Sequence, residues 1–240
     1  MKFFNSYADE TRAKAYAKLE FNNTYYLAFR DLPDIFKKYV KGKKAIDFGC
    51  GTGRSTRFLQ KYGFSATGID VSSEMIEFAK KIDPAGKYYV IKDGNYSQLS
   101  TNSFDLVLSA FTFDNIVMEK KAALFSGLAD LLNEDGKIVN LVSSPEIYLY
   151  EWASFSTKDF KENKTAKSGD IVKIVTTDFE DKRPCCDILC LDNDYKNIFS
   201  KAGLSVIKIF KPLAKGDESY NWINETRIAP WTIYVLKRKV

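Results

Sequence analysis

The stretch that decides the fold is Ala45-Ile46-Asp47-Phe48-Gly49-Cys50-Gly51-Thr52-Gly53. Its first four residues form a mostly apolar run typical of a short buried strand. The glycines that follow permit positive φ angles and let the backbone approach a ligand closely. The helix predicted to start after them offers free N–H groups at its positive end. The stretch therefore predicts a strand, a tight turn and a helix that bind an anionic or nucleotide-like ligand.

The spacing of these glycines argues against a dinucleotide. A glycine at position 54 would complete the G-x-G-x-x-G fingerprint of dinucleotide-binding folds, but the chain has Arg54 there. A G-x-x-x-x-G-K-[ST] phosphate loop is absent from the sequence. The turn therefore fits a ligand with a small anionic end better than a pyrophosphate, and it disfavours an NAD-dependent dehydrogenase.

Short apolar runs alternate with helical segments along most of the chain. The predicted strands are residues 45–48, 65–70, 88–92, 104–109, 136–142, 204–210 and 228–237. The predicted helices are residues 8–19, 32–40, 54–62, 73–81, 119–132 and 194–202. This alternation predicts an α/β fold whose mostly parallel sheet is covered on both faces.

We predict one domain over residues 1–240 and see an insertion rather than a domain boundary. It consists of an N-terminal helical cap segment, a cofactor-binding core, a substrate-side insertion and a C-terminal part of the sheet, at residues 1–42, 43–144, 145–190 and 191–240. The insertion contains several aromatic residues and an alternating strand at residues 171–179. Long insertions of this kind in α/β domains are often functional lids.

Acidic residues follow two further strands. Asp70 ends the second strand, where a carboxylate can accept both hydroxyls of a ribose. Asp93 follows the third strand, where a carboxylate could accept an adenine amino group. Because both lie in order on consecutive strands of one sheet, they predict an adenosine next to the glycine turn.

Residues 45–53 and Gly68-Ile69-Asp70-Val71-Ser72 resemble the first two cofactor motifs of class I S-adenosylmethionine-dependent methyltransferases of the small-molecule type. Residues 104–109 resemble the family's fourth-strand motif, and residues 132–137 resemble its turn before strand five. The resemblance implies a Rossmann-like three-layer sandwich with a seven-stranded, mostly parallel sheet and an antiparallel last strand. It also implies S-adenosylmethionine as the cofactor.

Carried over by position, the resemblance implies a cofactor site made of the glycine turn, the acidic strand ends and a tyrosine over the cofactor. Its residues are Tyr16, Asp47, Gly49, Cys50, Gly51, Gly53, Asp70, Val71, Met75, Asp93, Gly94, Ser109 and Ala110. Met75 and Cys50 fit a purely packing role as well. The tyrosine over the cofactor could be Tyr16 or Tyr25.

The chain contains no histidine, the side chain that most often acts as a general base near neutral pH. The remaining candidates are Asp114, the pair Tyr25 and Tyr26, and Glu146. Asp114 is the best placed, because residues 111–115 follow the fourth strand and should face the transferred methyl group, although a helix N-cap is an equally good interpretation. We predict Asp114 and Tyr25 as catalytic residues, with alignment of the acceptor as the main contribution.

The amino-acid composition bears on whether the chain binds nucleic acid, a metal ion or a membrane. The net charge of +5 comes from scattered lysines rather than a dense basic stripe, which makes nucleic acid an unlikely partner. The four cysteines lack a paired C-x-x-C, so no metal is expected. No apolar stretch is long enough to span a membrane, and residues 1–6 turn polar too early for a signal peptide, which predicts a cytoplasmic protein. The expected oligomeric state is a monomer or a homodimer.

The predicted function is methyl transfer to nitrogen or oxygen of a small-molecule acceptor. A nucleic-acid methyltransferase is the main alternative, but the D/N-P-P-Y/F signature of base-methylating relatives is replaced here by Ser109-Ala110-Phe111-Thr112. A non-catalytic protein that binds S-adenosylmethionine is a second alternative.

Overall fold

The computed structural model describes residues 21–92, 94–178 and 181–239. Two helices, α1 (Thr24–Arg30) and α2 (Leu32–Tyr39), precede the first strand. The second confirms the helix predicted over residues 32–40, whereas the predicted helix over residues 8–19 lies outside the described residues. Helix α1 lies within the predicted N-terminal helical cap segment, but its bounds were not predicted, because its aromatic residues have low helix propensity and burial against the domain determines its conformation.

Strands and helices alternate beyond residue 43. In chain order they are β1 (Lys44–Phe48), α3 (Arg54–Lys61), β2 (Ser65–Asp70), α4 (Ser73–Ile82), β3 (Lys87–Val90), β4 (Phe104–Ala110), α5 (Met118–Leu131), β5 (Leu132–Ser143), β6 (Phe155–Ser156), β7 (Ile171–Thr176), β8 (Cys185–Ile188), α6 (Asp192–Lys201), β9 (Leu204–Phe210) and β10 (Trp231–Arg238). Short 3-10 helices cover Thr112–Asn115, Pro145–Tyr148 and Lys161–Thr165.

The main sheet has seven strands in the order β3-β2-β1-β4-β5-β10-β9. The pairs among β1 to β5 are parallel, whereas β10 runs antiparallel to both of its neighbours. This confirms the predicted Rossmann-like sandwich with an antiparallel last strand. The strand order reverses between β1 and β4, and ligands in open α/β sheets bind at such a switch point. The switch point therefore places the site at the carboxyl ends of β1 and β4.

The central strands are apolar on both faces, as parallel strands covered by helices require. In β4, Leu106 and Leu108 pack into one apolar cluster with Trp152 of the insertion, and Val107 packs into the other. The second cluster is completed by Phe125 of α5. Helices and the insertion therefore hold the sheet from opposite sides and fix the strand ends that form the site.

The insertion builds a small antiparallel sheet of its own, in the order β6-β7-β8. The strand predicted over residues 171–179 is present as β7, but β6 and β8 were not predicted. Each is short, and β8 includes the polar Asp187, so neither shows a clear apolar alternation. Backbone pairing with β7 makes them strands.

Several predicted boundaries were wrong by a few residues. The strand predicted over 136–142 extends back to Leu132, which pairs with Phe104 across an irregular stretch of the ladder. The helix predicted to end at Leu132 therefore ends one residue earlier. The last strand starts at Trp231 rather than at residue 228. It follows Pro230, which lacks the N–H group that a sheet ladder requires.

Candidate functional site

A cavity of about 300 Å³ opens at the carboxyl ends of β1, β2 and β4. Its walls come from the glycine turn, the end of β2, the start of α4, the end of β4 and one face of α5. The lining residues are Phe48, Gly49, Gly51, Asp70, Val71, Ser72, Met75, Ile91, Gly94, Ala110, Phe111, Thr112, Asn115, Ile116, Val117, Lys120 and Leu124.

The glycine turn has positive φ angles at all three glycines. At Gly49, where φ is +71°, an added Cβ would lie only 2.2 Å from the Thr112 side chain, so only glycine fits. At Gly51, where φ is +52°, an added Cβ would meet no atom within 4 Å, because this residue borders the cavity. Gly53 begins α3 as its N-cap and does not line the cavity. The turn therefore presents bare backbone to whatever the cavity binds.

Asp70 stands at the cavity edge with both carboxylate oxygens anchored. Its Oδ2 accepts a hydrogen bond from the Gly51 N–H at 2.8 Å, and its Oδ1 accepts one from the Ser72 N–H at 2.9 Å. Burial raises the pKa of Asp70, and these backbone hydrogen bonds oppose the rise. An ionised carboxylate has about four lone-pair sites, so each oxygen keeps capacity for a ligand hydroxyl. Asp70 can therefore accept two neighbouring hydroxyls without losing its anchors.

Asp47 lies fully buried beneath the turn rather than in the cavity wall. Its Oδ2 accepts hydrogen bonds from Ser55 Oγ at 2.7 Å and Thr56 Oγ1 at 2.6 Å, which ties β1 to the first turn of α3. Its Oδ1 is buried and accepts no hydrogen bond from the described part of the chain. Burial raises the pKa of Asp47 to about 6, and the two hydroxyl donors oppose that rise. This oxygen can receive a donor that a bound ligand brings.

The opposite wall is apolar and comes from β2 and α4. Val71 and Met75 line the cavity, and Ser72 caps α4 by accepting the Met75 N–H at 3.2 Å. Gly94 also lines the cavity, while Asp93, predicted beside it, lies outside the described residues. A flat apolar ring fits this wall, with Asp70 at one end.

The end of β4 forms the third wall. Ala110 lines the cavity, and Phe111 follows with a φ of +64°, which is strained for a bulky residue. Thr112 Oγ1 donates to the Phe48 carbonyl at 2.9 Å and thereby holds this wall against β1. Asn115 Nδ2 donates to the Phe111 carbonyl at 3.2 Å. Ser109 is fully buried and does not line the cavity.

Tyr25 lies behind this wall. Its ring is 5.8 Å from the Phe111 ring and 5.7 Å from the Trp231 ring, centroid to centroid. The guanidinium of Arg54 lies over the Tyr25 ring at 5.2 Å. Arg54, which stands where a dinucleotide fingerprint would have glycine, therefore packs on aromatic rings behind the cavity wall. Tyr16 lies outside the described residues.

The structure brings seven of the predicted cofactor residues to the cavity wall: Gly49, Gly51, Asp70, Val71, Met75, Gly94 and Ala110. Cys50 packs instead with Ile76, Ala79 and Tyr88. Asp114 is buried, and its carboxylate accepts the Ser143 N–H at 3.0 Å on the side away from the cavity lining. The residues of the segment 111–115 that line the cavity are Phe111, Thr112 and Asn115.

Sequence reasoning missed the face of α5 that closes the cavity. Val117, Lys120 and Leu124 line it, at the three- and four-residue intervals that place side chains on one helical face. That spacing was readable in the sequence. The motifs at the strand ends nevertheless gave no reason to connect this helix to the ligand.

In residues 21–92, 94–178 and 181–239, no group of three or more Cys, Asp or Glu side chains could hold a metal ion. No helix within the same ranges is long and apolar enough to cross a membrane.

The chain is similar to known methyltransferases in sequence and structure. Residues 46–140 match the family described as the methyltransferase domain. An uncharacterised methyltransferase of Alkaliphilus oremlandii is 27% identical over 133 residues, which are 50% of this chain and 60% of that protein. A crystal structure of a protein from Pyrococcus horikoshii has a TM-score of 0.67 at 16% identity, covering 98% of this chain and 100% of that one. An S-adenosylmethionine-dependent methyltransferase of Clostridium acetobutylicum has a TM-score of 0.61 at 13% identity, covering 98% and 96%.

The seven-stranded sheet and the cavity at its switch point have the fold of solved methyltransferase structures. The match of residues 46–140 to the methyltransferase domain agrees with the resemblance of the motifs to class I S-adenosylmethionine-dependent methyltransferases. The chain spans 60% and 62% of the length of two curated relatives that it matches.

Proposed function

We propose that this chain binds S-adenosylmethionine in the cavity and transfers its methyl group to nitrogen or oxygen of a small-molecule acceptor. The observation that carries the proposal is the double anchoring of Asp70 by Gly51 and Ser72 at the cavity edge. That carboxylate has two oxygens fixed in place, each with spare lone pairs, directly beside an open glycine turn. A ribose next to a small charged group fits this pairing.

The described residues fit the parts of the cofactor. Asp70 would accept the ribose hydroxyls, and Val71 with Met75 would cover the adenine ring. Gly49 and Gly51 would let the methionine portion approach the backbone, and the buried, unpaired Oδ1 of Asp47 would receive a donor from its amino group, directly or through water. Tyr16 and Asp93 stay predictions.

When bound, S-adenosylmethionine supplies a methyl group already activated by a positively charged sulfur. The chain's own task is then to hold the acceptor in line with that methyl group and to exclude water. Such positioning can contribute roughly 7–11 kcal/mol. Ala110 and Phe111, at the end of β4, form the wall that would face the transferred group.

The cavity lining offers few side chains that could act as a general base. Among the described residues, the charged side chains that line the cavity are Asp70 and Lys120. Asp114 and Tyr25 stay predictions as catalytic residues, since both side chains lie behind the lining. Alignment and desolvation suit an acceptor whose nucleophile is already neutral or anionic.

A small acceptor is supported by the size and character of the site. A cavity of about 300 Å³ with mainly apolar walls and a few polar groups is typical of small-molecule sites. A nucleic-acid acceptor would be favoured by a concentrated basic face, whereas the lysines are scattered along the sequence. These features support the small-molecule acceptor over the alternative.

Calorimetric titration with S-adenosylmethionine, S-adenosylhomocysteine and NAD tests the cofactor. Binding of the first two without NAD supports the proposal, and NAD binding without the first two overturns it. A methylation screen then compares a metabolite library with RNA and DNA, read by formation of S-adenosylhomocysteine. Turnover with a metabolite supports the proposal, while turnover with nucleic acid alone, or none at all despite cofactor binding, overturns the acceptor class.

A further inference from the structure

The 3-10 helix Thr112–Asn115 has two distinct sides. Thr112 and Asn115 line the cavity, whereas Phe113 and Asp114 are buried on the opposite side, among the residues beneath α5. The position of the cavity wall therefore depends on what holds this short helix from behind. A single turn of 3-10 helix has poor internal hydrogen bonding and does not hold itself in place.

Two charged side chains supply those rear contacts. Asp114 Oδ2 accepts the N–H of Ser143, the last residue of β5, at 3.0 Å. Lys121 of α5 is fully buried, and its Nζ donates to the Phe113 carbonyl. The neighbouring Lys120 lines the cavity, so of two consecutive lysines in α5 one reaches the cavity and the next reaches the back of the 3-10 helix.

We infer that Asp114 and Lys121 are positioning residues that fix the wall formed by residues 111–115 against the cofactor cavity. Neither side chain lines the cavity, so both act through the backbone atoms that they bind. The identity of the ligand rests on the proposed function, but the positioning role does not.

Burying two ionisable side chains is costly, and an apolar pair would fill the same space at a lower desolvation cost. Burial raises the pKa of Asp114 and lowers the pKa of Lys121, and in each case the charge of the other residue opposes the shift. What an apolar pair could not do is pair the Ser143 N–H and the Phe113 carbonyl. The two polar side chains are therefore explained by the backbone groups that they bind, rather than by stability.

The same cluster connects the wall to the insertion. The negative charge of Asp187, in β8, also raises the pKa of Asp114, and Tyr148 donates its hydroxyl to Asp187 Oδ2 at 2.9 Å. The buried Cys190 follows β8 and lies near Lys121. The predicted acceptor-side insertion therefore contacts the back of the wall that the cofactor meets at the front.

The test uses Asp114→Asn, which keeps an acceptor for Ser143 but removes the charge, and Lys121→Met, which keeps the stem but removes the donor. Glu225→Gln is the matched control, because Glu225 is also fully buried but is bound to Thr24 and Ala153, in other segments. Amide hydrogen exchange of residues 112–115 and the Kd for S-adenosylmethionine are measured for each variant and for the wild type.

Lys121→Met is expected to speed amide exchange at residues 112–115 at least tenfold and to raise the Kd about tenfold, with Asp114→Asn weaker in both. Glu225→Gln is expected to lower the melting temperature while both readings stay within twofold. Unchanged exchange in Lys121→Met, or equal changes in Glu225→Gln, would overturn the inference. Because exchange is measured without ligand, a wild type that fails to bind S-adenosylmethionine refutes the proposed function alone.

Discussion

The hydroxyl of Thr24 donates to Oε1 of Glu225 at 2.7 Å, although 201 residues separate them in the chain. The same Oε1 accepts the Ala153 N–H at 2.7 Å, and Oε2 accepts the N–H groups of Ile223 and Asn224. Glu225 is fully buried, so one carboxylate joins α1, the insertion and the segment before β10. This joint ties α1 to the insertion and to the segment before β10.

Replacing Glu225 by alanine is expected to lower the free energy of unfolding by about 3–5 kcal/mol, since it leaves several buried donors unpaired. Urea denaturation measures the change. Glu162→Gln is the control, because Glu162 is 57% exposed in an ion pair with Lys173 and should change stability by less than about 0.5 kcal/mol. Equal losses in the two variants would contradict the role of the joint.

Replacing Asp70 by alanine is expected to weaken S-adenosylmethionine binding roughly 100-fold or more. It removes two acceptors for ribose hydroxyls, and hydrogen bonds to charged groups contribute about 1.5–3 kcal/mol each. Isothermal titration calorimetry measures the Kd. Glu77→Gln, an exposed change on the adjacent helix α4, is the control and should leave the Kd unaltered. An unchanged Kd in Asp70→Ala would mean that the ribose lies elsewhere.

Replacing Gly51 by alanine separates backbone strain from ligand contact. Gly51 and Gly203 both have positive φ, and an added Cβ meets no atom within 4 Å at either residue. Both alanine variants are therefore expected to lose about 1–2 kcal/mol of stability. Only Gly51 borders the cavity, so only Gly51→Ala should weaken S-adenosylmethionine binding, by at least tenfold. Similar Kd values in the two variants would show that the turn does not face the ligand.

The pKa of Asp47 predicts a pH dependence of stability. Burial raises this pKa to about 6 in the folded chain, above its ordinary value of 3.8. The native state then binds more protons than the unfolded state between about pH 4 and 6, so this group makes the free energy of unfolding fall as pH rises through that window. Asp47→Asn removes the titration while keeping an acceptor for Ser55 and Thr56.

Stability measured from pH 4 to 8 checks this. The stability of Asp47→Asn relative to the wild type should rise by about 2–3 kcal/mol across the window and level off above it. A flat difference for Asp47→Asn would show that the carboxylate is not desolvated as its burial indicates.

Local signals account for the parts of the molecule that the sequence predicted well. The run of residues 45–53 contains its own strand, turn and helix start, and each depends on residues adjacent in the chain. Asp70 lies at a strand end, and the parallel arrangement of neighbouring strands places it beside the turn without further information. The sheet and its antiparallel last strand were confirmed for this reason, and residues 46–140 match the methyltransferase domain that the motifs resemble.

Contacts between distant segments account for what the sequence could not supply. Helix α1 is held by contacts with residues more than 100 positions away, so its own aromatic-rich sequence did not indicate where in the predicted helical cap segment it begins and ends. The segment 111–115 was expected to face the transferred methyl group, but the sequence could not say which of its side chains would do so. The 3-10 helix turns Thr112 towards the cavity and Asp114 away from it, where the Asp114 carboxylate accepts the Ser143 N–H.

The sequence by itself determined the glycine turn, the acidic residue paired with it and the layered sheet, because hydrophobic period, glycine spacing and strand-end chemistry are properties of short stretches. Only the tertiary structure decided that Asp114 and Lys121 stand behind the cavity wall, that α5 closes it and that Glu225 ties three segments together. Those relationships depend on groups from segments far apart in the chain, and the sequence pattern does not indicate which distant group each side chain will contact.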